Sequence, residues 1–272
     1  MVFSKTAGYR HQSIEAGIVA LQKLGTAHQM KITATEDANF FQPTRLRQYD
    51  AIVFLNTTGD VLNAEQEAAF EQYIQRGGGF VGIHSASDTE YDWPWYGEML
   101  GAYFLNHPPV QKAMLRVENP DHPATSTLPQ GWKHNDEWYN FKSINPQINV
   151  LLSVDEQSYQ GGENGSSHPV SWYHDFDGGR MFYTAMGHTE ATYSDPLFLV
   201  HLLGGIHYAV GEEKELDERL TNINLDSSTI CLAQTNSKRT HNKHHNHYCI
   251  QHKKGDQGAS KGNQREDAFS MD

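Results

Sequence analysis

Up to Gly211 the chain alternates short apolar runs with amphipathic stretches, and this alternation narrows the possible folds more than any other feature. Val2, Phe3 and Ser4 open a very short strand. HQSIEAGIVALQKLG then sets Ile14, Gly17, Ile18, Leu21 and Leu24 on one helical face, with Gly25 suited to the left-handed position past the helix end. MKITAT alternates, and AIVFLN is a continuous apolar run of buried-strand length. Asn63 with Gln66 opens a second helix that runs through Arg76 and stops at Gly77 and Gly78, and GFVGI follows at once. Strand, helix, strand, strand, helix, strand at these spacings predicts a parallel sheet with crossover helices.

The middle is less regular. WPWYGEMLG reads as a short helix, QKAMLRVE and NVLLSVD as strands, and the proline-rich links between them as surface loops. HPVSWYHDF and RMFYTAM alternate around FDGG, the signature of a hairpin, and Asp195 with Pro196 caps a helix through Phe198, Leu199, Leu202, Leu203 and Ile206. From Glu212 the chain loses periodicity, and HNKHHNHYCIQHKK and GDQGASKGNQRED are low-complexity segments. The expected organisation is a folded domain over 1–211 and a polar, disordered tail over 212–272, whose histidines have no fixed geometry for a specific metal site.

Charge and cysteine usage exclude several classes of function. The formal net charge is -12, and residues 212–272 hold ten acids against nine Lys and Arg, which leaves about -11 for residues 1–211. A field of that sign repels phosphate backbones, so nucleic acid is not an expected partner. Cys231 and Cys249 both lie in the tail, so no disulfide framework or cysteine site is expected before it. No stretch has the length of a membrane span, and MVFSKTAGYRH has neither a basic n-region nor an apolar h-region. A cytoplasmic protein is the default expectation, although so short a first strand leaves room for residues before it.

The segment richest in chemical meaning is GGGFVGIHSASD. A glycine run and a buried strand lead into Gly82-Ile83-His84-Ser85-Ala86, in which small residues flank one functional side chain, as in a nucleophile elbow. A sharp turn at the carboxyl end of a central strand needs small neighbours and aims its central side chain into the crevice where open α/β sheets bind ligands. An ordinary glycine-bordered strand end would leave the same string. It is joined, however, by Gly187-His188-Thr189-Glu190 after the late strand RMFYTAM, a His-x-Glu placed where amidotransferases carry the rest of a triad. At the nucleophile position stands an imidazole. His84 can serve as acid, base or ligand but cannot form the thioester of glutamine hydrolysis, so glutaminase chemistry is excluded if the elbow is aligned correctly.

The order FSKTAGYRH, GGGFVGIHSASD, GAYFLNHP, HNDEWYNF, HPVSWYH, GRMFYTAMGHTE resembles the ThuA-like family, named for trehalose utilisation, over nearly all of residues 1–211. The resemblance implies a flavodoxin-like, class I glutamine amidotransferase-like three-layer α/β sandwich with a mostly parallel sheet. It also implies a role in the metabolism of disaccharides and their oxidised 3-keto forms. Residue by residue, Tyr9 and His11 fall in the first βα loop, where His11 could hydrogen-bond a sugar or cap its own helix. Asp88 could orient His84 or cap the next turn, and His107 precedes two prolines in a loop. Asp136 and Glu137 are adjacent acids in an extended segment, so only one is expected to enter the site, Glu137 by preference, with Trp138 and Tyr139 available to stack on a sugar ring. Glu190 completes the His-x-Glu string.

Three functions remain open on these residues. The first is an enzyme acting on an oxidised disaccharide or glycoside, as an isomerase or by glycoside cleavage, with His84 and His188 dividing acid and base roles and Asp136 or Glu137 supplying a carboxylate. The second places a divalent metal such as zinc on His84 and His188, with His107 and one acid as further ligands, although no local H-x-x-x-H spacing supports it. The third is a non-catalytic sugar-binding or interaction domain. No Gly-x-Gly-x-x-Gly follows the first strand, which argues against a nicotinamide cofactor.

Overall fold

The structure, a computed structural model, describes residues 1–211, so the expectations for the 212–272 tail, its two cysteines and its histidines lie outside the described residues. In chain order the elements are β1 (Val2–Phe3), α1 (Ile14–Ala27), β2 (Ala34–Thr35), α2 (Pro43–Leu46), β3 (Ala51–Leu55), α3 (Ala64–Gln75), β4 (Gly79–Ile83) and α4 (Pro94–Leu100). They continue as β5 (Tyr103–Asn106), β6 (Gln111–Val117), β7 (Gly131–Asp136), β8 (Asn140–Lys142), β9 (Asn149–Asp155), β10 (Pro169–Phe176), β11 (Gly179–Thr184) and α5 (Pro196–Val210).

Nine of these strands form one sheet in the order β2-β1-β3-β4-β11-β10-β9-β6-β7, and β5 pairs with β8 in a second, small sheet. The pairs from β2 to β11 are parallel, as the alternation of strands and helices predicts. From β11 to β7 each neighbour is antiparallel. Following those pairings, seven of the nine strands point one way, and β6 and β10 run against them. The α/β sandwich of mostly parallel strands is therefore present, with an antiparallel extension whose strands β6, β9 and β10 and β10–β11 hairpin the sequence suggests but whose full pairing order it does not.

Strand alternation assigns the two faces. Phe54 and Phe80 lie on the face covered by Phe70 of α3 and Tyr96 of α4, in a run of aromatic contacts 5.2–5.8 Å between centroids. Leu55 and Phe182 face the other way, where Gly17 of α1 and Gly205 of α5 let those helices approach. Each fully buried aromatic contributes roughly 1.5–3 kcal/mol of transfer free energy, so this double-faced core rather than helix propensity holds the layers together. α3 begins with the capping box that Asn63 and Gln66 foretell. The Asp177-Gly178 turn of the β10–β11 hairpin has both residues left-handed, with φ 47° and 97°, as a two-residue hairpin requires.

Two local expectations need correction. MKITAT yields only the two-residue edge strand β2. α1 does not stop at Gly25 but runs on to Ala27, and the left-handed residue is Gln29, with φ 59°. Gly25 serves close approach instead, since a Cβ there would stand 2.5 Å from Ile32 Cγ1 and 2.8 Å from the Met30 carbonyl. Because Ala ordinarily stabilises a helix interior by about 1 kcal/mol over Gly, the sign of one substitution tests this. Gly25→Ala is expected to destabilise the protein by about 1–3 kcal/mol in urea unfolding, through overpacking against a carbonyl that cannot move aside. An increase in stability would restore the C-terminal reading.

Candidate metal centre

β1, β4, β7 and β11 all point the same way in the sheet, so the residues that follow them gather at one carboxyl edge. His11 lies in the loop after β1, His84 is the first residue after β4, Glu137 the first after β7, and His188 lies four residues beyond β11. His84 sits in the left-handed region at φ 51°, a conformation that costs a residue with a Cβ about 1–3 kcal/mol and makes the sharp turn of an elbow. The small neighbours are required: a Cβ on Gly82 would stand 2.9 Å from Tyr183 and 3.0 Å from Leu100. Gly187, at φ 124°, has room for no more, with the Tyr193 hydroxyl 2.7 Å from its virtual Cβ. The Tyr183 hydroxyl donates to the His84 carbonyl at 2.7 Å and fixes the turn from below.

His84 is fully buried, and its Nδ1 lies 2.7 Å from the Ala185 carbonyl. A carbonyl only accepts, so Nδ1 carries the hydrogen and Nε2 presents a lone pair. That lone pair faces His188 Nδ1 at 3.2 Å and Glu137 Oε2 at 3.6 Å, and His188 Nδ1 lies 3.0 Å from the same Oε2. His11 completes the group: its ring stands edge-on to those of His84 and His188 at 4.8 and 5.2 Å, and its Nδ1 is 3.3 Å from Ser85 Oγ. One ligand atom from each of His11, His84, Glu137 and His188 lies within 4.8 Å of every other. Corners of a tetrahedron with bonds of about 2.0–2.1 Å lie about 3.3 Å apart, so the 3.0, 3.2 and 3.6 Å edges match a metal-sized polyhedron. The His84 Nδ1–H to carbonyl bond is also the outer contact that orients a metal-binding imidazole.

Charge at the site follows from these contacts. Burial would raise the Glu137 carboxyl, but the hydrogen bond from His188 and the neighbouring His188 and His84 rings outweigh it and hold the group at about 2. Burial works against a proton on His188, yet its bond to Glu137 raises its basicity. Burial and the neighbouring His84 and His188 rings push His11 down to about 3, so it is a neutral imidazole.

The other sequence-derived candidates separate into rim, support and core. His107, part-exposed, reaches Glu137 Oε1 with Nδ1 at 3.0 Å, so it belongs to the site as a partner of the carboxylate rather than as an isolated surface histidine. Tyr9 is 64% exposed and stands edge-on to His11 at the rim. Asp136 is fully buried and turned to support: it accepts from the N–H groups of Gly187, His188 and Thr189 at 2.8, 3.1 and 3.3 Å and from Thr192 Oγ1 at 2.9 Å. Trp138 is core, with no exposure and its indole N–H on the Gln111 carbonyl, so it offers no stacking face to a sugar. Tyr139 is buried too and packs its ring 4.2 Å from that of His84. Asp88 takes the Tyr91 hydroxyl at 2.7 Å and makes no hydrogen bond to His84, and the exposed Glu190 starts a 3-10 turn, so Glu137 holds the place beside His188 that His-x-Glu suggested for Glu190. Sequence reasoning missed His134, because its role depends on Asp195, sixty-one residues away: Nδ1 lies 3.0 Å from Asp195 and Nε2 3.5 Å from Asp136.

A family model described as "ThuA: Trehalose utilisation" matches residues 1–209. A crystal structure of a putative ThuA-like protein from Bacteroides uniformis superposes with a TM-score of 0.66 at 23% identity, covering 81% of this chain and 94% of that one. A second, from Parabacteroides merdae, gives 0.64 at 20% identity, with coverage of 80% and 92%. A cytoplasmic protein from Salmonella typhimurium gives 0.53 at 12% identity, with coverage of 76% and 98%. These likenesses are of fold. No curated protein matches the sequence. Among the described residues no helix is long and apolar enough to cross a membrane.

His134 yields a pH prediction. Burial opposes its protonation, but hydrogen bonds to Asp136 and Asp195 and their charges raise it to about 9, above the ordinary 6.5. A raised folded value means stability that is complete below about pH 6.5 and is lost as pH climbs through 9. Urea unfolding of chelated protein is expected to show a loss on the order of 1–3 kcal/mol between pH 6.5 and 9, and His134→Gln should flatten that slope. An unchanged slope in the variant would place the titration elsewhere.

Proposed function

The chain belongs to the ThuA family, whose role lies in trehalose utilisation, a part of carbohydrate metabolism, and from the geometry of its site we propose that it is a metal-dependent enzyme acting on an oxidised, 3-keto disaccharide or glycoside. The observation that carries this reading is the convergence of His11, His84, His188 and Glu137 to within one ion's coordination sphere. Three nitrogens and one carboxylate oxygen are a donor set suited to zinc or a similar first-row divalent ion. Such an ion polarises a carbonyl oxygen, and a 3-keto sugar differs from its parent in having one.

The protein groups then have distinct tasks. His84, locked by the Ala185 carbonyl, His11 beside Ser85, His188 and Glu137 would hold the ion. His107 touches the far oxygen of Glu137 and reaches solvent, so it is the group placed to take or give a proton next to a bound carbonyl. Tyr9 supplies an exposed aromatic face at the rim for a sugar ring. A base beside the carbonyl would take the proton from the carbon next to the ketone and return it to the enolate in an isomerisation, or to the glycosidic oxygen as that carbon–oxygen bond breaks in an elimination.

A metal-free reading has one observation in its favour. The hydrogen bond from His188 to Glu137 makes His188 a better proton carrier and would let it act as general acid while the Nε2 lone pair of His84 accepts a proton.

Calorimetric titration and turnover separate the two. Chelated protein is expected to bind one zinc ion at the site with sub-micromolar affinity, and His84→Ala and Glu137→Gln to lose that binding. Consumption of 3-keto trehalose is expected to fall at least about 100-fold in the chelated protein and in both variants, while His107→Ala keeps the zinc and loses about 10- to 100-fold in kcat. Full activity after chelation would select the acid-base pair. Binding of keto sugars without turnover in any state would leave a sugar-binding domain.

A further inference from the structure

A second group of carboxylates lies outside this site. Asp60 lies in the loop after β3, Glu67 in the first turns of α3, and Glu90 in the loop after β4, and one oxygen from each lies within 4.8 Å of the others. Glu71, one turn further along α3, adds its field to Glu67. Among the described residues none of these acids forms an ion pair with a lysine or arginine, and the nearby Lys5 ammonium donates to the Val61 carbonyl instead.

An acidic surface cluster alone would mean little, but Glu90 is not a surface residue. It has no solvent exposure and occupies the left-handed region at φ 54°. Its Oε1 accepts from the N–H groups of Val61 and Leu62 at 2.9 and 2.8 Å, which fixes the carboxylate in place. Its Oε2 is fully buried with no hydrogen-bond partner. Asp60 and Glu90 approach closely enough to share a proton, but two carboxylates have none to offer. A buried, unpartnered carboxylate oxygen costs several kcal/mol unless a cation or a proton meets it. Oxygens around one calcium ion at 2.3–2.6 Å lie at most about 5 Å apart, which the spacing here satisfies.

We infer that Asp60, Glu67 and Glu90 form a site for a hard divalent cation of the calcium type, distinct from the histidine centre. The donor set is all oxygen, which selects calcium or magnesium over zinc, and the part-exposed side leaves room for water to complete the shell. The cation would brace two loops already laced by Gly59 N–H on the Asp88 carbonyl, Glu90 N–H on the Gly59 carbonyl and the Thr57–Thr89 hydroxyl pair. The second of these loops leads directly from the His84 elbow.

The test uses the full chain carrying His84→Ala, so that the histidine centre cannot answer for the cation. Millimolar calcium is expected to raise the Tm by several degrees, and both Asp60→Asn and Glu90→Gln to weaken calcium affinity at least tenfold. Glu90→Gln keeps the Oε1 acceptor and gives Asp60 a donor, so its calcium-free Tm is expected to equal or exceed that of the parent. Should that variant fail to fold, the exposed Asp60→Asn decides alone. No shift with 10 mM calcium or magnesium, or an equal shift with and without the substitutions, would overturn the site and leave a proton shared between Glu90 and Asp60.

Discussion

The buried carboxylate of Asp136 gathers three successive backbone N–H groups, those of Gly187, His188 and Thr189, and the site depends on that one side chain. β7 is the last strand of the sheet, four places from β11 in the strand order. For its final residue to reach the loop after β11, the antiparallel extension must curl back over the carboxyl edge. Glu137, the next residue, is thereby delivered to His84 and His188 from a strand that would otherwise end far from them. Each bond to a charged acceptor contributes about 1.5–3 kcal/mol when the alternative is an unpaired buried group, so electrostatics adds substantially to the closure. His134 and Asp195 extend the same network to the start of α5.

Much of the fold was legible because its signals are local. The apolar runs of β3 and β4, the Asn63 capping box, the Asp177-Gly178 turn and the Asp195-Pro196 helix start each state their structure within a few residues. The His84 elbow belongs with them, since its small neighbours follow from a turn that the chain makes against its own strand. The antiparallel extension was less legible, because β6, β7 and β9 pair across proline-rich links whose length hides which strand meets which. Gly25 misled for a related reason: a glycine near a helix end signals a left-handed residue only when no other backbone needs its space, and Ile32 and Met30 need it here.

At the site, sequence could name the histidines but not their relations. That His84 and His188 follow strands of one sheet was readable, whereas Asp136 and Glu137 stood as adjacent alternatives, of which the structure brings Glu137 to the histidines. The choice between Glu190 and Glu137 as the partner of His188 was not readable, because it turns on the curl of the sheet. Trp138 looked like a sugar platform and is core, since its indole N–H needed the Gln111 carbonyl. The placement of one carboxylate beside three imidazoles gives the centre a negative charge and several nitrogen donors, the electrostatic form of a site for a divalent cation.

Anomalous diffraction at the zinc absorption edge, from crystals grown with one equivalent of zinc, tests the central claim most directly. The account predicts a single strong peak at the carboxyl edge of the sheet, about 2.0–2.2 Å from His84 Nε2, His188 Nδ1, Glu137 Oε2 and a nitrogen of His11. An empty centre with His188 still donating to Glu137, or zinc bound only elsewhere on the chain, would contradict it.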